Sequence, residues 1–259
     1  MINRNTGTAM GSAAVRFDQV AVAAFPFTLG AGEVAVWSVA PDPAAPPPGC
    51  LSGPELARAR AFQNPAAARD FAAGRQALRA LLGRYLGRPP GAVDLVTGPH
   101  GKPALAAGSP ALSFNLSHAE GVVLVALGRD GELGVDVERS PAPAGFLDVA
   151  GSYFSTAEAR RLAALPAAAA GAAFLRLWTR KEAVAKACGL GMSLPPDRIR
   201  VSMDAGTARV IDLPPDQGPL ARWALHDLAP GPDLVAALAV RGASDLRPAG
   251  YACSLKDLS

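Results

Sequence analysis

Apolar and acidic residues alternate with period two over Leu133-Gly134-Val135-Asp136-Val137-Glu138. On a strand this sends both carboxylates to one face and both valines to the other. Shorter apolar runs predict strands at Glu33 to Val39, Val93 to Val96, Ala111 to Leu116 and Val122 to Gly128. Arg129-Asp130-Gly131-Glu132 then supplies a hairpin turn into the acidic strand. Helical spacing of Phe71, Leu78, Leu81, Leu82, Tyr85 and Leu86 predicts a helix from Pro65 to Gly87. A shorter helix opens at Leu51-Ser52-Gly53-Pro54-Glu55, with Ser52 as its cap, after a proline-rich loop from Pro41 to Gly49. Ser155-Thr156-Ala157-Glu158 fits a capping box for a helix running to about Leu165. Ala172 to Gly189 reads as a long helix, ended by its glycines. Further strands are expected at Ile199 to Met203, Ala208 to Ile211, Arg222 to Asp227 and Leu234 to Val240.

These elements fit an α+β fold divided near Ser140-Pro141-Ala142-Pro143. Residues 1–32 read as a weakly ordered extension, 33–139 as an N-terminal half and 140–259 as a C-terminal half. The segment 113–127, a strand ending at His118 followed by an apolar strand, resembles 222–240 around His226. A duplicated half would produce that echo, and so would two generic hairpins.

The chain has 259 residues, half of them hydrophobic and 18% charged, which excludes general disorder. A net charge of +3 argues neither for nucleic acid nor for a membrane. The basic residues are uneven, with Arg58, Arg60, Arg69, Arg75, Arg79, Arg84 and Arg88 in one segment. Arg75 falls in the apolar stripe of its helix and needs either an anion partner or a route to solvent. Asp70, Arg79 and Arg84 are expected to be more exposed. Cys50, Cys188 and Cys253 have no metal or disulfide spacing and read as reduced structural thiols. The N-terminus lacks the apolar run of a signal peptide, and no stretch reaches the length of a membrane span.

The candidate chemistry is acidic. Trp178, Glu182 and Lys186 are spaced by four on one stripe of the long helix. Asp136, Glu138 and Glu182 together offer hard oxygen ligands suited to Mg²⁺, with Mn²⁺ as a substitute. Lys186, one turn beyond Glu182, suits a phosphate on that metal. Ser117 and His118 close a strand, where they can hold a phosphate oxygen. Adjacent residues on an extended segment point to opposite sides, so a direct Ser117–His118 relay is disfavoured, and no Gly-x-Ser-x-Gly elbow occurs. Lys102, in Gly101-Lys102-Pro103, can donate from a stiff loop. There is no Gly-x-x-x-x-Gly-Lys-Ser/Thr loop and no dinucleotide fingerprint.

Taken in order, Gly101-Lys102-Pro103, Phe114-Asn115-Leu116-Ser117-His118, Gly134-Val135-Asp136-Val137-Glu138, Phe154-Ser155-x-x-Glu158 and Trp178-x-x-Lys181-Glu182-Ala183-x-x-Lys186 resemble the 4'-phosphopantetheinyl transferases of the long, monomeric type. The resemblance spans about residues 33 to 240. It implies a pseudo-twofold pair of similar halves, each a small antiparallel sheet packed by helices, with coenzyme A in the cleft between them. It also implies a reaction that moves phosphopantetheine from coenzyme A to a serine of an apo acyl, peptidyl or aryl carrier protein, releasing adenosine 3',5'-bisphosphate. By that similarity Asp136, Glu138 and Glu182 hold Mg²⁺, and Lys186 contacts the same phosphates. Ser117, His118, Lys102 and either Arg69 or Arg75 contact coenzyme A phosphates. The general base is Glu182, Asp136 or a metal-bound water. Carrier-protein contacts are expected near the Ala-rich segment 163–173. A cytoplasmic monomer of secondary metabolism, without nucleic-acid or membrane partners, is the expected setting. Two other readings use the same residues. One is a Mg²⁺-dependent pyrophosphohydrolase on a coenzyme A-like nucleotide, and the other a non-catalytic binder of coenzyme A or carrier protein.

Overall fold

The computed structural model describes residues 14–41, 50–242 and 246–258. Most of the proline-rich loop and the first 13 residues of the expected extension lie outside the described residues. The strands are β1 (Val15–Gln19), β2 (Glu33–Ala40), β3 (Leu95–Thr97), β4 (Pro103–Leu105), β5 (Ser113–Ala119), β6 (Val122–Gly128), β7 (Glu132–Arg139), β8 (Arg200–Val201), β9 (Val210–Asp212), β10 (Trp223–Ala229), β11 (Leu234–Arg241) and β12 (Arg247–Ser254). The helices are α1 (Gly53–Arg60), α2 (Pro65–Leu86), α3 (Phe146–Tyr153), α4 (Thr156–Ala163), α5 (Ala167–Cys188) and α6 (Leu255–Leu258). Ser155 forms the expected capping box with Glu158, and Ser52, expected as a cap, forms a full box with Glu55. Gly87 and Gly189 end α2 and α5 in the left-handed conformation.

Eight strands form one mixed sheet in the order β5-β6-β2-β12-β1-β10-β11-β7. β1 runs parallel to both β10 and β12 and so joins two otherwise separate groups of strands. Residues 15–19, read from the sequence as part of a loose extension, are therefore a central strand. β12, absent from the sequence reading, runs parallel to β2. The echoing segments form two antiparallel hairpins, β5-β6 and β10-β11.

The sheet curls. Val34 and Val36 of β2, Val122, Leu124 and Ala126 of β6, Leu133, Val135 and Val137 of β7, and Ala236, Leu238 and Val240 of β11 share one buried cluster on its inner face. The alternate residues face outward, as period two requires. Ala35, Trp37, Val123, Val125 and Leu127 pack with Leu78, Leu81 and Leu82 of α2. Ala237 and Ala239 pack with Leu177, Val184 and other residues of α5. Curling brings the two ends of the sheet, β5 and β7, side by side with no ladder between them. β7 pairs along its length with β11, from the later part of the chain, rather than with β6.

Arg79 departs from its expected exposure. It is 3% exposed and bonded to Glu55, 2.7 Å away, and to the carbonyls of Pro90 and Val93. The anion partner Glu55 makes its burial affordable. Arg75 lies 3.9 Å from the same carboxylate and over the Phe71 ring. Arg84 is exposed as expected.

Candidate active site

The outer face of β7 meets α5 at unusually short range because residue 134 is glycine. A Cβ there would lie 1.9 Å from the Ala183 carbonyl oxygen and 2.4 Å from the Ala187 nitrogen. Asp136 and Glu138, two and four residues further on, share that face. Glu182 and Lys186 flank Ala183 and Ala187 on the helix. The predicted alternation is thus present: Val135 and Val137 enter the inner core, while Asp136 turns toward α5.

There Lys186 Nζ lies 2.6 Å from Asp136 Oδ1. The same ammonium donates to Ser117 Oγ at 3.0 Å and to the Val135 carbonyl at 3.2 Å. Ser117 in turn donates to Asp136 Oδ1 at 2.9 Å. Asp136 Oδ2 is buried with no partner. β5, β7 and α5 therefore converge on one carboxylate. Burial raises the Glu138 pKa, and the charges of Asp136 and Glu182 add to the rise against the opposing pull of Lys186 and a hydrogen bond from Trp178. Glu182 is raised for the same reasons, burial first and Asp136 second. The three carboxylates are near enough to repel one another, and among the described residues Lys186 is the cation that offsets them.

As the side chains stand, no three His, Cys, Asp or Glu residues among those described form a group that could hold a metal ion. The ammonium of Lys186 occupies Oδ1, the other oxygen of Asp136. The donor chemistry nevertheless fits a hard divalent cation. It comprises oxygen ligands alone, a buried carboxylate oxygen without a hydrogen-bond partner among the described residues, and two further carboxylates whose pKa is raised by burial and by the charge of Asp136.

The other predicted residues divide. Lys102 donates to the Leu133 carbonyl at 3.0 Å and to Glu132 at 3.2 Å, at the start of β7. It lines a cavity of about 440 Å³ together with His100, Pro103, Phe114, Glu132 and Gly189. His118 is exposed and faces α2, its Cδ2 lying 3.7 Å from where a Cβ on Gly74 would stand. Arg75 follows Gly74 in the helix, with its guanidinium at Glu55 and Phe71. Arg69 is exposed, a turn and a half away toward the start of α2.

Two basic residues of the long helix are structural. Lys181 is buried, bonded to Glu158 at 2.9 Å and to the carbonyls of Pro196 and Ile199. Arg180 makes two bonds to Asp227, at 2.8 and 2.7 Å. Asn115 was quoted only as part of a motif, yet its Oδ1 accepts from the Val135 amide at 2.8 Å, between β5 and β7. Only the nearness of those two strands could have revealed that role, and no local pattern carries it.

The model of the 4'-phosphopantetheinyl transferase superfamily matches residues 132–239, which span β7, α5 and β11. The chain is 35% identical to the 4'-phosphopantetheinyl transferase HetI of Nostoc sp. over 74% of its own length and 79% of HetI. It is 27% identical to the 4'-phosphopantetheinyl transferase of Bacillus subtilis over 65% of its length and 74% of that protein. With AcpT of Salmonella typhi, another 4'-phosphopantetheinyl transferase, it shares 40% identity over 43% of its length and 56% of AcpT. With the acidic face of β7 apposed to the lysine-bearing face of α5, and with a relative this similar along most of both chains, the protein belongs to the 4'-phosphopantetheinyl transferase superfamily.

Proposed function

We infer that the chain transfers the 4'-phosphopantetheine group of coenzyme A to a serine hydroxyl of an apo carrier protein. Family membership makes it an enzyme of this type. The contact of Lys186 with Asp136 and Ser117, flanked by Glu138 and Glu182, is the observation that carries the reading to particular residues.

In the reaction the serine oxygen bonds to the β-phosphorus of the coenzyme. The bond from that phosphorus to the bridging oxygen breaks, adenosine 3',5'-bisphosphate leaves, and the serine proton passes to a base. Phosphoryl transfer of this kind requires positioning and charge neutralisation more than covalent help. Asp136, Glu138 and Glu182 would hold Mg²⁺, which supplies neutralisation of the diphosphate. Lys186 would donate to the phosphate oxygens instead of to Asp136 when the coenzyme is bound. Glu182 would serve as the base, directly or through a water, because it can touch both the metal and the nucleophile. Lys102, at the cavity beside the start of β7, and Arg75 with His118 at α2 bind the nucleotide phosphates. Arg75 is preferred to Arg69 because it follows Gly74, the point of α2 that His118 approaches.

The two hairpins β5-β6 and β10-β11, each covered by a 22-residue helix, support reading the fold as two related halves. No helix among the described residues is long and apolar enough to cross a membrane. A cytoplasmic monomer acting on acyl, peptidyl or aryl carriers is the setting that we assign. The test is incubation with coenzyme A, Mg²⁺ and a panel of apo carrier domains, read by mass. A carrier gaining phosphopantetheine supports transfer. Free phosphopantetheine released at the same rate without a carrier would replace transfer by hydrolysis.

A further inference from the structure

We propose that Asn115 is a positioning residue for this reaction, holding the edge of β7 that carries Asp136. The proposal rests on the function given above. β7 is paired on one side by β11 and lies at the end of the sheet. The alternate backbone groups of an end strand face away from its partner and need other hydrogen bonds when buried. On β7 side chains make these bonds. Lys102 takes the Leu133 carbonyl, Lys186 takes the Val135 carbonyl, and Asn115 takes the Val135 amide. Two of the three are the lysines assigned to the phosphates. When they turn to the coenzyme, Asn115 keeps its hold on Val135.

Asn115 suits that task. It is 5% exposed, neutral, and placed two residues before Ser117 on the same face of β5. The pair act as two adjacent teeth, one on the Val135 amide and the next on the Asp136 carboxylate. Asp136 is thereby fixed relative to β5 while Gly134 fixes it relative to α5. Residues that orient a ligating carboxylate are worth about 10- to 100-fold in metal affinity or activity.

The experiment compares wild type with Asn115→Leu, which cannot accept the amide, and Asn115→Asp, which can. Mn²⁺ affinity is measured without coenzyme by paramagnetic resonance, and KM for coenzyme A, kcat and Tm are measured separately. Asn115→Leu is expected to weaken Mn²⁺ binding about tenfold or more and to lower kcat. Asn115→Asp is expected to restore Mn²⁺ affinity even where its buried charge lowers Tm. Should the leucine variant not fold, Asn115→Ser serves, since its hydroxyl stops short of the amide. Mn²⁺ affinity and kcat within twofold of wild type in a folded leucine or serine variant, or a drop in Tm alone, overturns the proposal. Wild type lacking any transfer activity would refute the function itself, which is a separate outcome.

Discussion

Lys186 and Asp136 form an ion pair 2.6 Å long in which the lysine side chain is 28% exposed and the aspartate side chain 6%. The lysine thus holds the place of a cation on a carboxylate assigned to Mg²⁺. Metal and lysine compete for the same oxygen unless a phosphate draws the lysine away. Coenzyme A and the metal should then strengthen each other's binding, by the same factor in either order. Lys186→Gln is expected to bind Mn²⁺ more tightly than wild type without coenzyme, to lose the mutual enhancement, and to lower kcat by about 100-fold. Calorimetric titration of Mn²⁺ with and without coenzyme A checks this. An unchanged enhancement in the variant would sink the idea.

The raised pKa values of Glu138 and Glu182 predict a cost in stability at neutral pH. Each carboxyl binds its proton more tightly folded than unfolded, so stability is greatest below the ordinary value of 4.5 and falls as pH rises from there through the folded value. Glu138→Gln and Glu182→Gln should each raise Tm of the metal-free protein at pH 7 by about 2 °C or more, with the gain vanishing near pH 4. Both should abolish transfer and blunt the rise in Tm that Mg²⁺ gives wild type. Thermal melts across pH, with and without Mg²⁺, provide the measurement.

Gly134→Ala should be severe. Its Cβ would overlap the Ala183 carbonyl at 1.9 Å, a backbone atom that no side-chain rotation can move aside. Helix α5 must shift from β7, carrying Glu182 and Lys186 with it. A loss of about 3 kcal/mol is expected in urea unfolding, with activity falling further than the folded fraction. Wild-type stability in that variant would contradict the packing described.

Lys181, beside Glu182 in the sequence, should behave differently from its neighbour. Lys181→Met leaves the Glu158 carboxylate without its cation and takes a donor from the carbonyls of Pro196 and Ile199, of which Pro196 keeps the Ile199 amide. About 3 kcal/mol of stability should be lost, while kcat per folded molecule stays within a few-fold of wild type. A large fall in kcat at full folding would instead put Lys181 in the chemistry.

Local rules made much of the site readable. The cap at Ser52, the capping box at Ser155 and the alternation through Asp136 and Glu138 are visible because their causes lie within a few residues. Placement on one face said where Asp136 points, but not that Ser117 and Lys186 would hold it. β1 and β12 are not legible locally because each gains its hydrogen bonds from distant strands: the alternation of Val15-Arg16-Phe17-Asp18 is only two periods long, and β12 holds Pro248 and Gly250. Arg79 was misjudged because its burial depends on Glu55, which lies in another helix. The close approach at Gly134 was also hidden, since a glycine in a strand does not name what lies against it.

The parallel placement of β1 has a kinetic consequence. Its neighbours are Leu228 and Ala229 on one side and Gly250 to Ala252 on the other. During synthesis the earliest of the described strands must wait for the latest before the sheet can close. Long loop closures of this kind slow folding, so the nascent protein stays unfinished, with its inner core open to water, until the ribosome has delivered residues near 250.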